Sequence, residues 1–167
     1  MEDLGAQRQR RRHPRVKRLL VTGSRNWTNR PIIYESLRLA WRHLQRDEPN
    51  DVPITLVHGA AQGADTIAAE MWANRSVWYG RRPPVEPHPA DWDHCDPTCR
   101  HAPRYRRDGT RYCSAAGPRR NLEMIAAGAD LCLAFPLGRS IGTQHCIRHA
   151  RAAGIPVWEW GLGGRAS

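Results

Sequence analysis

The chain has 167 residues, with 26 Lys+Arg against 16 Asp+Glu and 40% hydrophobic residues. This is the size of one domain with an apolar core, and no apolar run is long enough to span a membrane. The first 18 residues are polar and arginine-rich, so we expect neither a secretory signal nor a membrane anchor. A cytoplasmic protein with reduced thiols is therefore predicted.

The net charge of +10 is concentrated in two segments. Residues 1–18 carry seven basic and two acidic residues, residues 94–120 carry the same numbers, and the rest of the chain sums to zero. Residues 1–17 are predicted to be a basic, disordered tail, and residues 94–116 a basic insert. Any nucleic-acid affinity is expected to reside in these two segments, although charged runs are often only solvated surface.

Short apolar runs alternate along the chain with segments of helical periodicity. The predicted strands are residues 18–22, 54–58, 85–89 and 130–135, with a last strand from 155. The predicted helices are about four turns following residue 31, then residues 63–74, 121–127 and 143–153. This alternation predicts a doubly wound α/β domain over residues 18–162, with a mainly parallel sheet, helices on both faces and a short tail at 163–167.

Three predicted strands end in loops of small residues, at positions 23–25, 58–65 and 136–143. In a doubly wound sheet the ligand lies beyond the carboxyl ends of the strands, and glycine-rich turns let backbone amides approach a phosphate. Glycines also end strands for geometric reasons alone. The chain has no G-x-G-x-x-G and no G-x-x-x-x-G-K-[ST], so neither an NAD-type redox cofactor nor P-loop chemistry is expected.

Five motifs occur in one order along the chain. They are Gly23–Ser24–Arg25 with Trp27, the stretch His58–Gly59 to Gly63–Ala64–Asp65, Ala90–Asp91–Trp92, Gly117–Pro118–Arg119–Arg120–Asn121, and Ala134–Phe135–Pro136 with Gly142–Thr143. In this order they resemble the SLOG superfamily, and most of all its YspA/YpsA-related (DUF2493-type) group from bacteria and their phages. The resemblance implies a Rossmann-like domain that binds or senses a nucleotide or nucleotide-derived ligand in a bacterial or phage-infected cell.

Two other branches of that superfamily supply alternatives. The "Lonely guy" phosphoribohydrolases carry a catalytic glutamate where this chain has Cys146, so an enzyme of that type would have to use Asp65, Asp91 or Glu123 instead. DprA-like proteins bind single-stranded DNA, and their G-x-x-x-G-x-D segment is similar to residues 59–65. We therefore expect binding rather than hydrolysis. Oligomeric state is left open, with a homo-oligomer as one possibility.

The candidate ligand-binding residues follow from the loops and the resemblance. Glycines and small residues would supply amides, while His58, which follows a buried strand, is expected to be structural more often than functional. The set is Gly23, Ser24, Arg25, His58, Gly59, Gly63, Ala64, Asp65, Asp91, Trp92, Arg120, Asn121, Gly138, Ser140, Gly142 and Thr143.

Five of these side chains have predicted roles. Arg25 and Arg120, the latter placed at a helix start, are expected to contact phosphate or ribose, since guanidinium donors match phosphate oxygens. The alternative is a surface salt bridge. Asp65 would cap its helix or accept hydrogen bonds from a ribose or base. Asp91 would bind a sugar hydroxyl at the end of the third strand, and Trp92 would stack on a base or pack as part of the core.

The insert carries a set of soft metal ligands. Three cysteines and a histidine suffice for a closed tetrahedral Zn²⁺ site, with His94 as a substitute for the histidine, and a segment without apolar residues needs such a source of order. Free cysteines in a loop are the alternative, while Cys132 and Cys146 lie on apolar faces and are predicted to be core. The predicted zinc ligands are Cys95, Cys99, His101 and Cys113.

Overall fold

The computed structural model describes residues 16–48, 52–74 and 83–165. Within these ranges it contains four helices and eight strands. In chain order the elements are β1 (Lys17–Gly23), α1 (Arg30–Gln45), β2 (Ile54–His58), α2 (Ala64–Ala73), β3 (Val85–Pro87), β4 (Arg104–Tyr105), β5 (Arg111–Tyr112), α3 (Ala116–Ala126), β6 (Leu131–Phe135), α4 (Ile141–Ala152), β7 (Val157–Gly161) and β8 (Gly164–Arg165).

The main sheet has the strand order β3-β2-β1-β6-β7-β8. Its first five strands are parallel, and β8 pairs with β7 in the antiparallel sense. The chain moves outward from β1 to β2 and β3 on one side, then returns to place β6 against the other side of β1. The predicted Rossmann-like, mainly parallel sheet is confirmed. The order in which the chain adds strands to the sheet reverses between β1 and β6.

Alternate residues of the central strands face opposite helical layers. Leu19 and Val21 belong to one buried cluster with residues of α1 and α2. Leu20 belongs to a second cluster with residues of α3 and α4, which also contains Cys132 and Cys146. Helices therefore cover both faces of the sheet, as predicted, and the two cysteines are core residues.

The local sequence determines where helix α1 begins and which of its faces is buried. The Asn29 side chain accepts a hydrogen bond from the Ile32 amide at 3.2 Å, and Pro31 occupies the first turn, where no intrahelical donor is needed. The buried face repeats at helical spacing and includes Ile33, Leu37, Ala40 and Leu44.

Several boundaries differ from the sequence prediction, and two of the differences move predicted site residues. Helix α3 begins at Ala116, five residues before the predicted start at Asn121, because a proline such as Pro118 is tolerated in a first turn whose amides have no intrahelical acceptor. Arg120 therefore lies inside the helix and not at its start. Strand β3 stops at Pro87, at the edge of the sheet, so Asp91 lies in the following loop and does not end the strand.

The predicted tails lie mostly outside the described residues. Residues 1–15 and 166–167 are not among them, and Lys17 already belongs to β1. Gly164 and Arg165, assigned to the tail from sequence, form β8 with β7. No helix in the described part of the chain has both the length and the apolar character needed to cross a membrane.

Candidate functional site

The loops that follow β1, β2 and β6 meet around a cavity of about 480 Å³ at the carboxyl edge of the sheet. The cavity lies at the point where the strand order reverses, which is the usual ligand position in open α/β sheets. The start of α4 and the first turns of α3 close it. Its lining residues are Thr22, Gly23, Ser24, Arg25, Ala61, Asp65, Trp92, Ser114, Gly117, Pro118, Arg120, Asn121, Met124, Ser140, Ile141, Gly142, Thr143, His145 and Arg148.

The predicted binding residues divide into two groups around this cavity. Those that line it are Gly23, Ser24, Arg25, Asp65, Trp92, Arg120, Asn121, Ser140, Gly142 and Thr143. Those that lie behind or beside it are His58, Gly59, Gly63, Ala64, Asp91 and Gly138.

Gly63 holds the first two loops against each other. Its φ is +78°, and a Cβ there would collide with the main-chain carbonyls of Ser24 and Arg25. The adjacent Ala64 amide donates to the Ser24 carbonyl at 3.3 Å. Gly63 is therefore required by the contact between the loops and does not itself face the cavity.

Replacing Gly63 with alanine is expected to destabilise the protein by more than the 1–2 kcal/mol that a left-handed backbone alone costs. Gly138→Ala is the matched control, because Gly138 has φ +57° but open space where its Cβ would lie. Urea unfolding measures both losses, and the excess loss at Gly63 reports the collision together with its backbone conformation (φ +78°, ψ −124°), which glycine adopts more readily than other residues. Equal losses in the two variants would contradict a steric role for Gly63.

Asp65 organises the loop that follows β2. Its buried carboxylate accepts hydrogen bonds at Oδ2 from the amides of Gly59 at 2.9 Å and Ala61 at 3.4 Å. It does not cap α2, whose N-cap residue is Gly63. Burial raises the pKa of Asp65 to about 6, opposed by the nearby Arg120 guanidinium and by the two amides.

Arg120 and Asn121 tie α3 to its neighbours. Nη1 of Arg120 donates to the Gly59 carbonyl and, at 2.9 Å, to the His88 carbonyl, while Nε donates to Oδ1 of Asn121 at 3.0 Å. Nδ2 of Asn121 donates to the Gly142 carbonyl at 3.1 Å. Burial lowers the pKa of Arg120, and the Asp65 carboxylate opposes this shift. Some of the side-chain donors that were predicted to bind a ligand are therefore bonded within the protein, where they connect α3 to the residues after β2 and β3 and to α4.

Positive charge dominates the cavity lining. The Arg25 guanidinium lies over the Trp92 ring, 5.3 Å from its centroid. Arg148 and His145 add further cationic or ionisable groups from α4. Burial and the neighbouring His149 and Arg148 lower the pKa of His145. Asp65 is the one carboxylate among the described lining residues, and it is already bonded to loop amides.

Sequence reasoning missed His145 and Arg148. Ile141, His145 and Arg148 repeat at helical spacing and all line the cavity, so the signal was available once α4 was placed at the loop. The predicted site residues of this region, Gly142 and Thr143, belong to the loop motif, which stops before His145 and Arg148.

His58 and Asp91 have partners outside the cavity. Nδ1 of the buried His58 accepts a hydrogen bond from the Ala60 amide at 3.1 Å, and burial followed by the charge of Arg120 lowers its pKa. This is the structural arrangement expected for a buried histidine. Asp91 pairs with Nδ1 of the exposed His94 at 2.9 Å, and this hydrogen bond lowers the pKa of Asp91.

The insert gathers its four predicted ligands into one cluster. Their donor atoms all lie within 4.8 Å of one another. Nε2 of His101 is 3.4 Å from Sγ of Cys113 and 3.8 Å from Sγ of Cys95, and the Sγ atoms of Cys99 and Cys113 are 3.6 Å apart. The cluster contains His101 and not the alternative, His94.

The donor set and its surroundings fit zinc. Adjacent ligands of a tetrahedral zinc are about 3.6 to 3.8 Å apart, given the usual Zn–S and Zn–N bond lengths. Nδ1 of His101 lies 2.8 Å from the Ala102 carbonyl, so a proton held there leaves Nε2 free for a metal. Nη1 of Arg119 donates to Sγ of Cys99 at 3.6 Å, which suits the net negative charge of three thiolates around a divalent ion.

Residues 17–94 match a family model described as the YspA, cpYpsA-related SLOG family. The Gene 61 protein of Mycobacterium phage D29 is 41% identical over 149 residues, which cover 87% of this chain and 98% of that protein. The chain belongs to the YspA/cpYpsA-related SLOG family. The phage relative agrees with the predicted bacterial or phage setting. This SLOG-family protein is also similar to the X-ray structure of the structural genomics target TM1055, with a TM-score of 0.49 and 20% identity over 85% of this chain and 72% of that one.

In this SLOG-family protein, Cys146, which the sequence resemblance aligns with the phosphoribohydrolase glutamate, is buried. Cys146 lies in the core beneath the cavity, and burial raises the pKa of its thiol to about 11. Of the three carboxylates that could replace the glutamate, only Asp65 lines the cavity; Asp91 and Glu123 are exposed elsewhere.

Proposed function

We propose that the cavity binds a nucleotide or nucleotide-derived small molecule and holds its phosphate near the start of α4. The supporting observation is the charge of the lining: Arg25, Arg120 and Arg148 surround the cavity, and the one described carboxylate, Asp65, is already bonded within the protein. Such a lining favours an anionic guest. The volume of about 480 Å³ accommodates a nucleotide-sized ligand.

Different parts of the lining suit different parts of such a ligand. The first amides of α4 have no acceptor within their own helix, since the Gln144 amide is the first to donate to a carbonyl of the helix start, that of Ser140. Arg148 lies about two turns after Ile141 on the same helix. Trp92, in the segment after β3, adds an aromatic side chain suited to a base or ribose. We therefore place phosphate at α4 and the nucleoside towards Trp92.

Binding is favoured over the two alternative functions. A hydrolase would depend on Asp65 alone among the described lining carboxylates, and the bonds from Gly59 and Ala61 to Oδ2 give this carboxylate a role in holding its own loop. Nucleic-acid binding through the insert would use exposed side chains such as Arg104, Tyr105 and Arg107, which do not line the cavity. A cationic lining would suit the phosphate of a hydrolase substrate as well, so it is the missing catalytic carboxylate that favours binding over hydrolysis.

Calorimetric titration of the full chain with AMP, ADP-ribose, NAD⁺ and cyclic dinucleotides tests this proposal. We expect at least one ligand to bind and Arg148→Gln to weaken it about 10- to 100-fold, the loss expected for one charge-assisted contact. Arg148 is exposed and has no hydrogen bond with the described residues, so the variant should fold normally.

Arg139→Gln is the matched control for this experiment. Arg139 is exposed in the turn that precedes α4 and carries the same charge as Arg148, but it does not line the cavity. It should leave the affinity within about two-fold of the original, because an exposed charge outside the site acts only through screened solvent. Absence of heat with every ligand in a folded sample, or equal weakening in both variants, would overturn the proposal.

We further propose that Cys95, Cys99, His101 and Cys113 hold a structural Zn²⁺ ion. His101→Gln is expected to lower the affinity for Zn²⁺ at least ten-fold, because it removes one of four ligands. His94→Gln is the control, since His94 is exposed and paired with Asp91 outside the cluster. Competition with a chromogenic chelator measures both affinities, and Co²⁺ absorption reports tetrahedral thiolate coordination. Equal affinities in the two variants would contradict the assignment.

A further inference from the structure

The Cys/His cluster adjoins the wall of the ligand cavity. Its first ligand, Cys95, comes three residues after Trp92, and its last ligand, Cys113, immediately precedes Ser114. Trp92 and Ser114 both line the cavity. The insert therefore leaves the cavity wall at one lining residue and returns to it at another.

Direct contacts connect the cluster to this wall. The Cys113 amide donates to the Trp92 carbonyl at 2.7 Å, which fixes the two ends of the insert side by side. A Cβ at Gly117 would come within 2.9 Å of the Trp92 ring, so α3 packs closely against that ring. Arg119, next to the cavity residue Arg120, donates to Sγ of Cys99. The cluster thus touches both the Trp92 segment and α3.

The insert has little else to keep it ordered. Within residues 94–113, all of them described, Cys113 is the single buried side chain. The hairpin β4–β5 has two residues in each strand, far below the size of an independently stable sheet. A metal at the cluster would therefore supply most of the free energy that closes this segment.

We propose that metal binding at this cluster positions the Trp92 and Ser114 side of the cavity, so that Zn²⁺ and the cavity ligand bind cooperatively. The metal ligands act as positioning residues for a site that they do not touch. The cooperativity with a nucleotide rests on the function proposed above. The positioning of Trp92 and Ser114 by the metal does not depend on that function. Because binding linkage is reciprocal, the nucleotide must raise the affinity for Zn²⁺ by the same factor that Zn²⁺ raises the affinity for the nucleotide.

Hydrogen exchange of the full chain, with and without Zn²⁺, tests the positioning without any nucleotide. We expect removal of the metal by a chelator to accelerate exchange about ten-fold or more at the Cys113, Ala116 and Arg119 amides, which are bonded in the closed wall. Amides of β6 should be unaffected. Acceleration confined to residues 94–112 would overturn the proposal, as would protein that binds no metal.

The same pair of histidine variants separates metal loss from side-chain loss. In the presence of Zn²⁺, His101→Gln should show the accelerated exchange of the stripped protein, and His94→Gln should match the loaded protein. Acceleration in both variants, or in neither, contradicts positioning by the metal. Raising the Zn²⁺ concentration until His101→Gln is saturated should restore slow exchange, which a purely local packing defect would not do.

Titration with AMP and ADP-ribose then tests the coupling. We expect binding to be at least five-fold tighter in the Zn²⁺-loaded chain, with the same factor recovered in a Zn²⁺ titration at saturating nucleotide. Equal affinities in loaded and stripped protein would overturn the coupling. If neither nucleotide binds the loaded chain while the exchange result holds, the nucleotide assignment fails and the positioning of the wall stands.

Discussion

Replacing Trp27 with alanine is expected to reduce the free energy of unfolding by about 3 to 5 kcal/mol, the usual cost of removing a large buried aromatic side chain. Trp27 is 1% exposed, and its ring lies 5.3 Å from that of Phe135, centroid to centroid. Nε1 donates to the Asn29 carbonyl at 3.1 Å. Trp27 follows β1, and Phe135 ends β6. Contact between the two rings therefore stabilises the carboxyl ends of the two strands at which the strand order reverses.

Trp27→Phe distinguishes the ring from its hydrogen bond. It keeps an aromatic ring against Phe135 but cannot donate to Asn29, so a loss of about 1 to 2 kcal/mol is expected. Urea unfolding followed by circular dichroism measures both variants. If Trp27→Ala reduced the free energy of unfolding by less than about 1 kcal/mol, the contact of this ring with Phe135 would not stabilise the fold, despite its burial. The motif tryptophan is in this view a structural residue that positions Ser24 and Arg25.

The sequence predicted the parts of the fold that depend on local pattern. Residues 19–21 and 131–135 form continuous apolar runs, and short runs of this kind followed by turn residues indicate buried parallel strands. The loops after these strands could then be placed at one sheet edge by topology alone. The Cys/His cluster was predicted from residue type and spacing, because few other patterns bring three cysteines and a histidine into one short segment.

The roles of individual polar residues required three-dimensional contacts. Arg120 donates to the carbonyl of Gly59, 61 positions earlier in the chain, and no local pattern encodes that pairing. The carboxylate of Asp65 does not cap a helix; Oδ2 accepts from the amides of its own loop, while the residue also lines the cavity. Arg148 lines the cavity from the face of α4 that also carries Ile141 and His145. Which face of a helix meets a cavity depends on packing between elements, and that is not encoded in the local pattern.

The arginines that line the cavity differ in their partners within the protein. Arg120 is half-buried, and it donates to main-chain carbonyls within the protein. Arg25 and Arg148 remain exposed, and the Arg25 guanidinium lies over the Trp92 ring. An anionic ligand would complete the charge balance of this region, which is the property that the binding experiments measure.

Changing Asp65 to asparagine is expected to have a more favourable effect on the free energy of unfolding at pH 7 than at pH 4. Burial raises the pKa of Asp65 to about 6 in the folded state, above its value of 3.8 in an unfolded chain. A group with a raised pKa contributes its stability below the unfolded pKa and loses it as the pH rises through the folded one. From pH 4 to pH 7 the original protein should lose about 2 kcal/mol from this source, and Asp65→Asn should lose none of it.

Asp65→Ala is the control that separates charge from hydrogen bonding. Both loop amides donate to the same oxygen, Oδ2, so the single amide oxygen of asparagine can accept both bonds, whereas alanine leaves the buried donors of Gly59 and Ala61 without an acceptor. Alanine should therefore destabilise the protein at both pH values, by about 1 to 3 kcal/mol. Unfolding in urea at pH 4 and pH 7 measures all three proteins. If the difference between the aspartate and asparagine proteins were the same at both pH values, Asp65 would have to ionise near its ordinary pKa, and the cost of burying its charge beneath the ligand cavity would be absent.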